Sequence, residues 1–122
     1  MNFEDMNQAQ KDEIKKDIGN FIEDKELLDF LSSIFKVLAD PTRLKIIYAL
    51  SKTPLCVNDI SNILGMSQSA ISHQLALLRK QELIKVDRIG RKAIYSLDDD
   101  HVMRLFKEGF DHAYHKKRNF ND

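Results

Sequence analysis

The sequence predicts a mainly α-helical fold with one small β-hairpin, arranged as a winged helix-turn-helix, on three observations. Apolar residues recur at helical spacing through most of the chain. Two of these stretches, 56–64 and 67–79, are joined by a short turn containing Gly65, and the second keeps small polar residues on its outer face. Two strand-like runs, Leu83–Asp87 and Lys92–Leu97, follow directly and are separated by Arg88-Ile89-Gly90-Arg91.

In order, residues 1–24 place Ile14, Ile18, Phe21 and Ile22 on one face and predict an N-terminal arm or short helix. Residues 25–39 carry a broader apolar face made by Leu27, Leu28, Leu31, Ile34, Phe35 and Leu38. Asp40-Pro41 breaks that pattern and opens a new helix, with Asp40 as N-cap and Pro41 in the first turn. Its apolar positions are Leu44, Ile46, Ile47 and Leu50, and Thr53-Pro54 marks a loop. Val57, Ile60, Ile63 and Leu64 form the next short helix, which Gly65 ends. Ser67 caps the one after it, where Ile71, Leu75 and Leu78 face inward and Gln68, Ser69, Ser72 and His73 stay outside. The last helix is expected over Asp98–Lys116. The organisation expected is an arm at 1–24, a winged helix-turn-helix domain with dimerising terminal helices at 25–115, and a tail at 116–122.

A chain of 122 residues makes one domain with a modest core. No apolar run approaches the roughly 20 residues that span a bilayer, so no membrane partner is expected. The acidic start, Met1-Asn2-Phe3-Glu4-Asp5, has no apolar signal core. The single cysteine, Cys56, fits a reducing cytoplasm and is read as a small core residue. The zero net charge hides a segregation. Residues 1–30 hold nine acidic and four basic side chains, 31–97 hold four and ten, and 98–122 hold six and five. A basic middle suits a polyanion.

Position gives that charge a use. Gln pairs with adenine edges and Ser with several bases, so Gln68, Ser69, Ser72 and His73 suit a major groove, with Ser67 at the helix start near phosphate. Arg88, Arg91 and Lys92 on the hairpin suit backbone or minor groove. The bland alternative is an amphipathic helix and a solvated hairpin with no nucleic acid partner.

Three of the four histidines lie in the last helix. His101 and His112 are eleven residues apart and share a face, and His112 and His115 are neighbours one turn apart. Eleven residues of helix span roughly 16 Å, while ligands sit about 2 Å from zinc. One helix therefore cannot bring both ends to one ion. Two antiparallel copies can: Asp99 and His101 of one chain would meet His112 and His115 of the other, twice per homodimer. Three imidazoles and a carboxylate suit Zn²⁺, with Co²⁺ or Ni²⁺ as possible mimics. The plainer alternative is that the aspartates only cap the helix and the histidines are solvated.

Several runs also carry a family resemblance: Ala39-Asp40-Pro41-Thr42-Arg43-Leu44, Leu55-Cys56-Val57-Asn58-Asp59-Ile60, Ser67 through Leu75, and the hairpin with Gly90-Arg91 and Tyr95. Together they resemble the ArsR/SmtB family of winged-helix repressors over about residues 27–115. The resemblance implies a homodimer that binds operator DNA and releases it when metal binds. The chain's end is similar to the zinc-sensing branch, which implies the same four ligands by position. One departure bears on the metal. Relatives sensing soft metals often place a second cysteine two positions after the first, whereas Cys56 is followed by Val57 and Asn58. Two other readings compete: a winged-helix regulator with a non-metal inducer or none, and a small metallohydrolase. The second lacks a His-Glu-x-x-His motif and would have no open metal position, so no enzyme is expected.

Overall fold

The computed structural model describes residues 2–121. After a 3-10 turn at Phe3–Asp5, the order is α1 (Gln8–Glu23), α2 (Lys25–Leu38), α3 (Pro41–Lys52), β1 (Leu55–Cys56), α4 (Val57–Leu64), α5 (Gln68–Lys80), β2 (Ile84–Ile89), β3 (Lys92–Leu97) and α6 (Asp100–Asn121). The chain groups into two compact units, one ending at Lys36 and the other starting at Val37. Most of α2 thus goes with the N-terminal helix, whereas the expected domain began at residue 25.

In the first unit, α1 starts at a reciprocal cap: Gln10 N–H donates to Asn7 Oδ1 at 2.9 Å, and Asn7 N–H donates to Gln10 Oε1 at 3.1 Å. Asp24 then caps α2 by accepting from Leu27 N–H at 3.0 Å. Neither helix has a buried residue. Ile18, Phe21 and Ile22 on α1, and Leu27, Phe30, Leu31 and Phe35 on α2, leave broad apolar faces in solvent.

The core lies in the second unit. Ile46 and Ile47 of α3, Ile60 of α4, and Ile71, Leu75 and Leu78 of α5 are fully buried or nearly so, together with Leu83 and Ile84 at the start of the hairpin. The helical ones are among the apolar positions that helical spacing selected, although Leu44 and Ile63, selected the same way, are exposed. Asp40 caps α3 by accepting from Arg43 N–H at 3.0 Å, and Ser67 caps α5 by accepting from Ala70 N–H at 3.1 Å. Between α4 and α5 the chain turns on Gly65 at φ +68°, the left-handed region that glycine enters without penalty. A Cβ built there meets nothing within 4 Å, so only backbone strain opposes a side chain. Gly65→Ala is expected to cost about 1–2 kcal/mol in urea denaturation. A larger loss would mean that the turn is packed as well as bent.

Three features differ from the sequence expectation. First, the sheet has three strands in the order β1-β3-β2. Leu55 and Cys56, expected as loop and helix start, pair antiparallel with Tyr95 and Ile94. Second, the hairpin is tighter than expected: Ile89 pairs with Lys92 and only Gly90 and Arg91 turn the chain, with Gly90 at φ +65°. A two-residue turn of this kind matches the twist of paired strands. Third, α6 does not stop near Lys116 but continues through Asn121. Lys116, Lys117 and Arg118 are good helix formers and nothing after them breaks the pattern. The expected tail is therefore helical as far as the described residues go.

The setting of α6 against α3 is aromatic. Tyr48 stacks on Phe110 at 5.6 Å between ring centroids and meets Phe106 at 6.1 Å, and Phe110 stacks on Tyr114. Val102 is buried near the helix start. These contacts fix which side of α6 faces the domain. At 3.6 residues per turn, His101 and His112 fall on the opposite side.

Candidate nucleic-acid interface and metal centre

The α5 surface is as small and polar as its sequence implied. Ser67, Gln68, Ser69, Ser72 and His73 are all exposed, on the first two turns beside the α4–α5 turn. Two of them already have partners. The Ser67 oxygen is committed to the cap. The Gln68 amide donates to Asn58 Oδ1 of α4 at 2.9 Å, which holds the Gln68 side chain across the two helices and leaves its carbonyl oxygen free. Asn58 thus holds the Gln68 side chain, a contact that the sequence did not single out. Arg79 and Lys80, exposed in the last turn of α5, extend the positive charge on this element.

The hairpin tip separates its three basic residues. Arg88 opposes Ala93 near the tip and Arg91 is in the turn, both exposed. Lys92 lines a shallow recess with Cys56, Val57, Asn58, Asp59 and Ala93. In that recess the Cys56 thiol donates to Asp59 Oδ2 at 3.0 Å. Asp59 is held below the usual carboxylate range first by that thiol, then by the Cys56 N–H, with Lys92 adding to the effect. Among the described residues Arg88 and Arg91 make no ion pair, while the Lys92 charge is partly directed at Asp59. The reading of Cys56 as a small core residue agrees with its burial.

Three candidate ligands lie on α6 and the fourth, Asp99, immediately precedes it, and the four form two separate pairs. Asp99 caps the helix: its Oδ1 accepts from His101 N–H at 2.8 Å and Val102 N–H at 3.2 Å. The second oxygen, Oδ2, lies 3.5 Å from His101 Nδ1. Both side chains are open to solvent, at 54 % and 82 % exposure. The Asp99 pKa is lowered, mainly by the Val102 N–H, so the carboxylate stays charged below its ordinary range. Capping and metal binding are compatible here because they use different oxygens. His112 and His115 are exposed on adjacent turns of the same helix. The structure brings Asp99 to His101, but an unbroken helix keeps that pair away from His112 and His115. Among the described residues, no three ligating side chains of one chain converge.

Comparison with known proteins shows the family. The family model described as "Bacterial regulatory protein, arsR family" matches residues 40–86, from the α3 cap into β2. The chain is 48% identical over 82 residues to the transcriptional repressor SmtB homolog of Synechocystis, a match covering 67% of this chain and 62% of that protein. It is 42% identical over 83 residues to the cadmium resistance transcriptional regulatory protein CadC homolog of Staphylococcus aureus, covering 67% and 69%. Among solved structures, the homodimeric winged helix-turn-helix DNA-binding domain Mb0332 from Mycobacterium bovis superposes with a TM-score of 0.72 at 28% identity, covering 75% of this chain and 84% of that one.

Proposed function

Because the chain belongs to the arsR family of bacterial regulatory proteins, we propose that it is a cytoplasmic, metal-responsive repressor that binds operator DNA as a homodimer and releases it on binding zinc. The observation that carries this reading is the placement of two exposed ligand pairs about 16 Å apart, Asp99 with His101 at the capped start of α6 and His112 with His115 farther along it. Only a second, antiparallel α6 puts both pairs at one ion. The apolar faces of α1 and α2, exposed in the single chain, supply further surface for a second copy.

The donor set fits zinc: three imidazoles and one carboxylate are nitrogen and oxygen ligands in the right number for a closed tetrahedral site. Cobalt and nickel accept the same ligands. A thiolate site is less well supported, since Cys56 is the only thiol, is buried and donates to Asp59. A bound divalent ion would supply a cross-link between the two α6 helices. Such a cross-link would tie the α6 start, next to the end of β3, to the far end of the other α6. It would thereby fix the relative setting of the two α5 helices, which must match half-sites about one DNA turn apart. A setting that fits poorly weakens operator binding, and by linkage operator weakens zinc binding by the same factor.

For DNA, α5 presents Gln68, Ser69, Ser72 and His73 to the major groove, with Ser67 near phosphate. Arg88 and Arg91 track the backbone or minor groove, and Lys92, which closes the turn opposite Ile89, contributes beside them. A fluorescence anisotropy titration, using a palindromic duplex selected by the protein from a random pool, tests the whole reading. Tight, salt-dependent binding that zinc weakens is expected. Binding that is indifferent to zinc would favour a winged-helix regulator with another inducer.

Acidity provides a further expected result. Imidazoles bind metal only when neutral, so zinc binding should release protons and weaken between pH 7 and about 5.5. The lowered pKa of Asp99 keeps its carboxylate charged throughout that window. Asp99→Asn should therefore lower zinc affinity but keep the pH slope, while asparagine preserves the helix cap. Calorimetric titration at several pH values would show both, and a flat profile in the wild-type protein would exclude the histidines as ligands.

A further inference from the structure

We infer that Arg43 is a positioning residue for the DNA-contacting helix, acting through Gln74; the inference rests on α5 being the element that reads DNA. Arg43 lies in the first turn of α3, where its own N–H is held by Asp40. Its side chain is half-buried and makes two hydrogen bonds in different directions. Nε donates to the Val37 carbonyl at 2.6 Å, and Nη1 donates to Gln74 Oε1 at 3.0 Å. The Val37 carbonyl is in the last turn of α2, where helix carbonyls lack partners of their own. Gln74 sits on α5 immediately after Ser72 and His73, with its side chain half-buried while theirs are exposed.

The physical reason for such a bridge is direction. The rest of the α3–α5 contact is an apolar core containing Ile46, Ile47, Ile71 and Leu75, and apolar burial is non-directional. It resists separation better than it resists rotation of one helix on another. A guanidinium is planar and its donors form a rigid fork, so two bonds from one head fix an angle as well as a distance. Base-edge hydrogen bonds demand such accuracy, because they weaken steeply once distance and angle depart from their narrow range. Rotation of α5 would carry Ser69 and Ser72 away from a base edge while phosphate contacts, longer-ranged and less directional, survived. Arg43 therefore acts on sequence discrimination more than on general affinity for DNA. Lysine would keep the charge but offers one ammonium head and cannot form the same two-way bridge.

The test uses the full chain and compares a selected operator duplex with a random duplex, by anisotropy across a salt series, alongside thermal melting. Gln74→Leu removes the acceptor, Arg43→Lys removes the fork, and Gln74→Glu keeps an acceptor and serves as the rescue. Gln74→Leu and Arg43→Lys should each lower the operator-to-random affinity ratio about tenfold, near the low end for the loss of a single base-edge pairing. Random-duplex affinity and the salt slope should not change. Gln74→Glu should retain discrimination, and the double variant Arg43→Lys with Gln74→Leu should be no worse than either single one, as expected for one shared interaction. An unchanged ratio in a folded Arg43→Lys or Gln74→Leu protein would overturn the inference, as would equal losses on both duplexes. A wild-type protein with no preference between the duplexes would overturn the DNA reading itself, and this inference with it.

Discussion

Chains carrying His101→Ala and chains carrying His112→Ala should each lose tight zinc binding as homodimers, and dimers made of one chain of each kind should regain half of it. In either homodimer both sites lack one imidazole. Altering the hydrogen-bond partners of metal ligands already costs about 10–100-fold in affinity, so removing a ligand should cost more than about 100-fold. In the mixed dimer the two damaged halves fall in the same site. The other site keeps Asp99 and His101 from the His112→Ala chain and His112 and His115 from the His101→Ala chain. Zinc stoichiometry should therefore be two per wild-type dimer, near zero in each variant homodimer, and one per mixed dimer. The prediction follows from the length of α6, which runs unbroken from Asp100 to Asn121 and holds its two ligand pairs apart. Mixed dimers that bind no zinc would mean that the site lies within one chain or uses other residues.

Replacing Arg88 and Arg91 together by alanine should weaken binding to every duplex and flatten its salt dependence. Both lie at the exposed hairpin tip, and neither makes an ion pair among the described residues. Every phosphate that is no longer neutralised reduces the logarithmic salt slope by about 0.9, so a dimer deprived of four such cations should lose roughly 3 to 4 units. The affinity loss should grow as salt is lowered. Lys92→Ala should do less, because its charge is partly directed at Asp59. Ser69→Ala or Ser72→Ala should instead reduce preference for the operator with little change in slope. If the hairpin and α5 variants gave the same sequence-independent loss, the division between reading helix and wing would be wrong.

Much of this was legible in the sequence because it is written in local chemistry. Asp40 and Ser67 are caps, Gly65 is a left-handed stop, and Ile46, Ile47, Ile71, Leu75 and Leu78 are core positions, all recognisable from neighbours a few residues away. What escaped is set by distant partners or by weak local signals. Strand β1 has two residues, too few for any periodicity, and exists because β3 passes beside it some forty residues later. The bond between Arg43 and Gln74 spans 31 positions, and nothing in either residue's neighbourhood announces the other. The Gln68–Asn58 bond likewise needs the α4–α5 angle. The end of α6 lies beyond its expected place because a basic, polar run reads as a solvated tail when only apolar spacing is followed. The two-chain arrangement proposed for the ligand pairs rests on a different argument: the length of an unbroken α-helix keeps the pairs of one chain apart, whatever the packing.

If zinc acts on DNA through Asp99 and the α6 histidines, the His115→Ala dimer should no longer respond to it. His115 is exposed and its side chain makes no hydrogen bond among the described residues, whereas Asp99 also caps α6 and would confuse the result. Operator affinity of wild-type and His115→Ala dimers, measured by anisotropy with and without zinc, should match when zinc is absent. With zinc, the wild-type affinity should fall by about 5–150-fold, the usual range of such coupling, with a protein–zinc–DNA complex forming at high concentration. The His115→Ala dimer should keep its grip on the operator. Zinc-driven release that persists in His115→Ala, or that is purely competitive with no ternary complex at any concentration, would contradict the account.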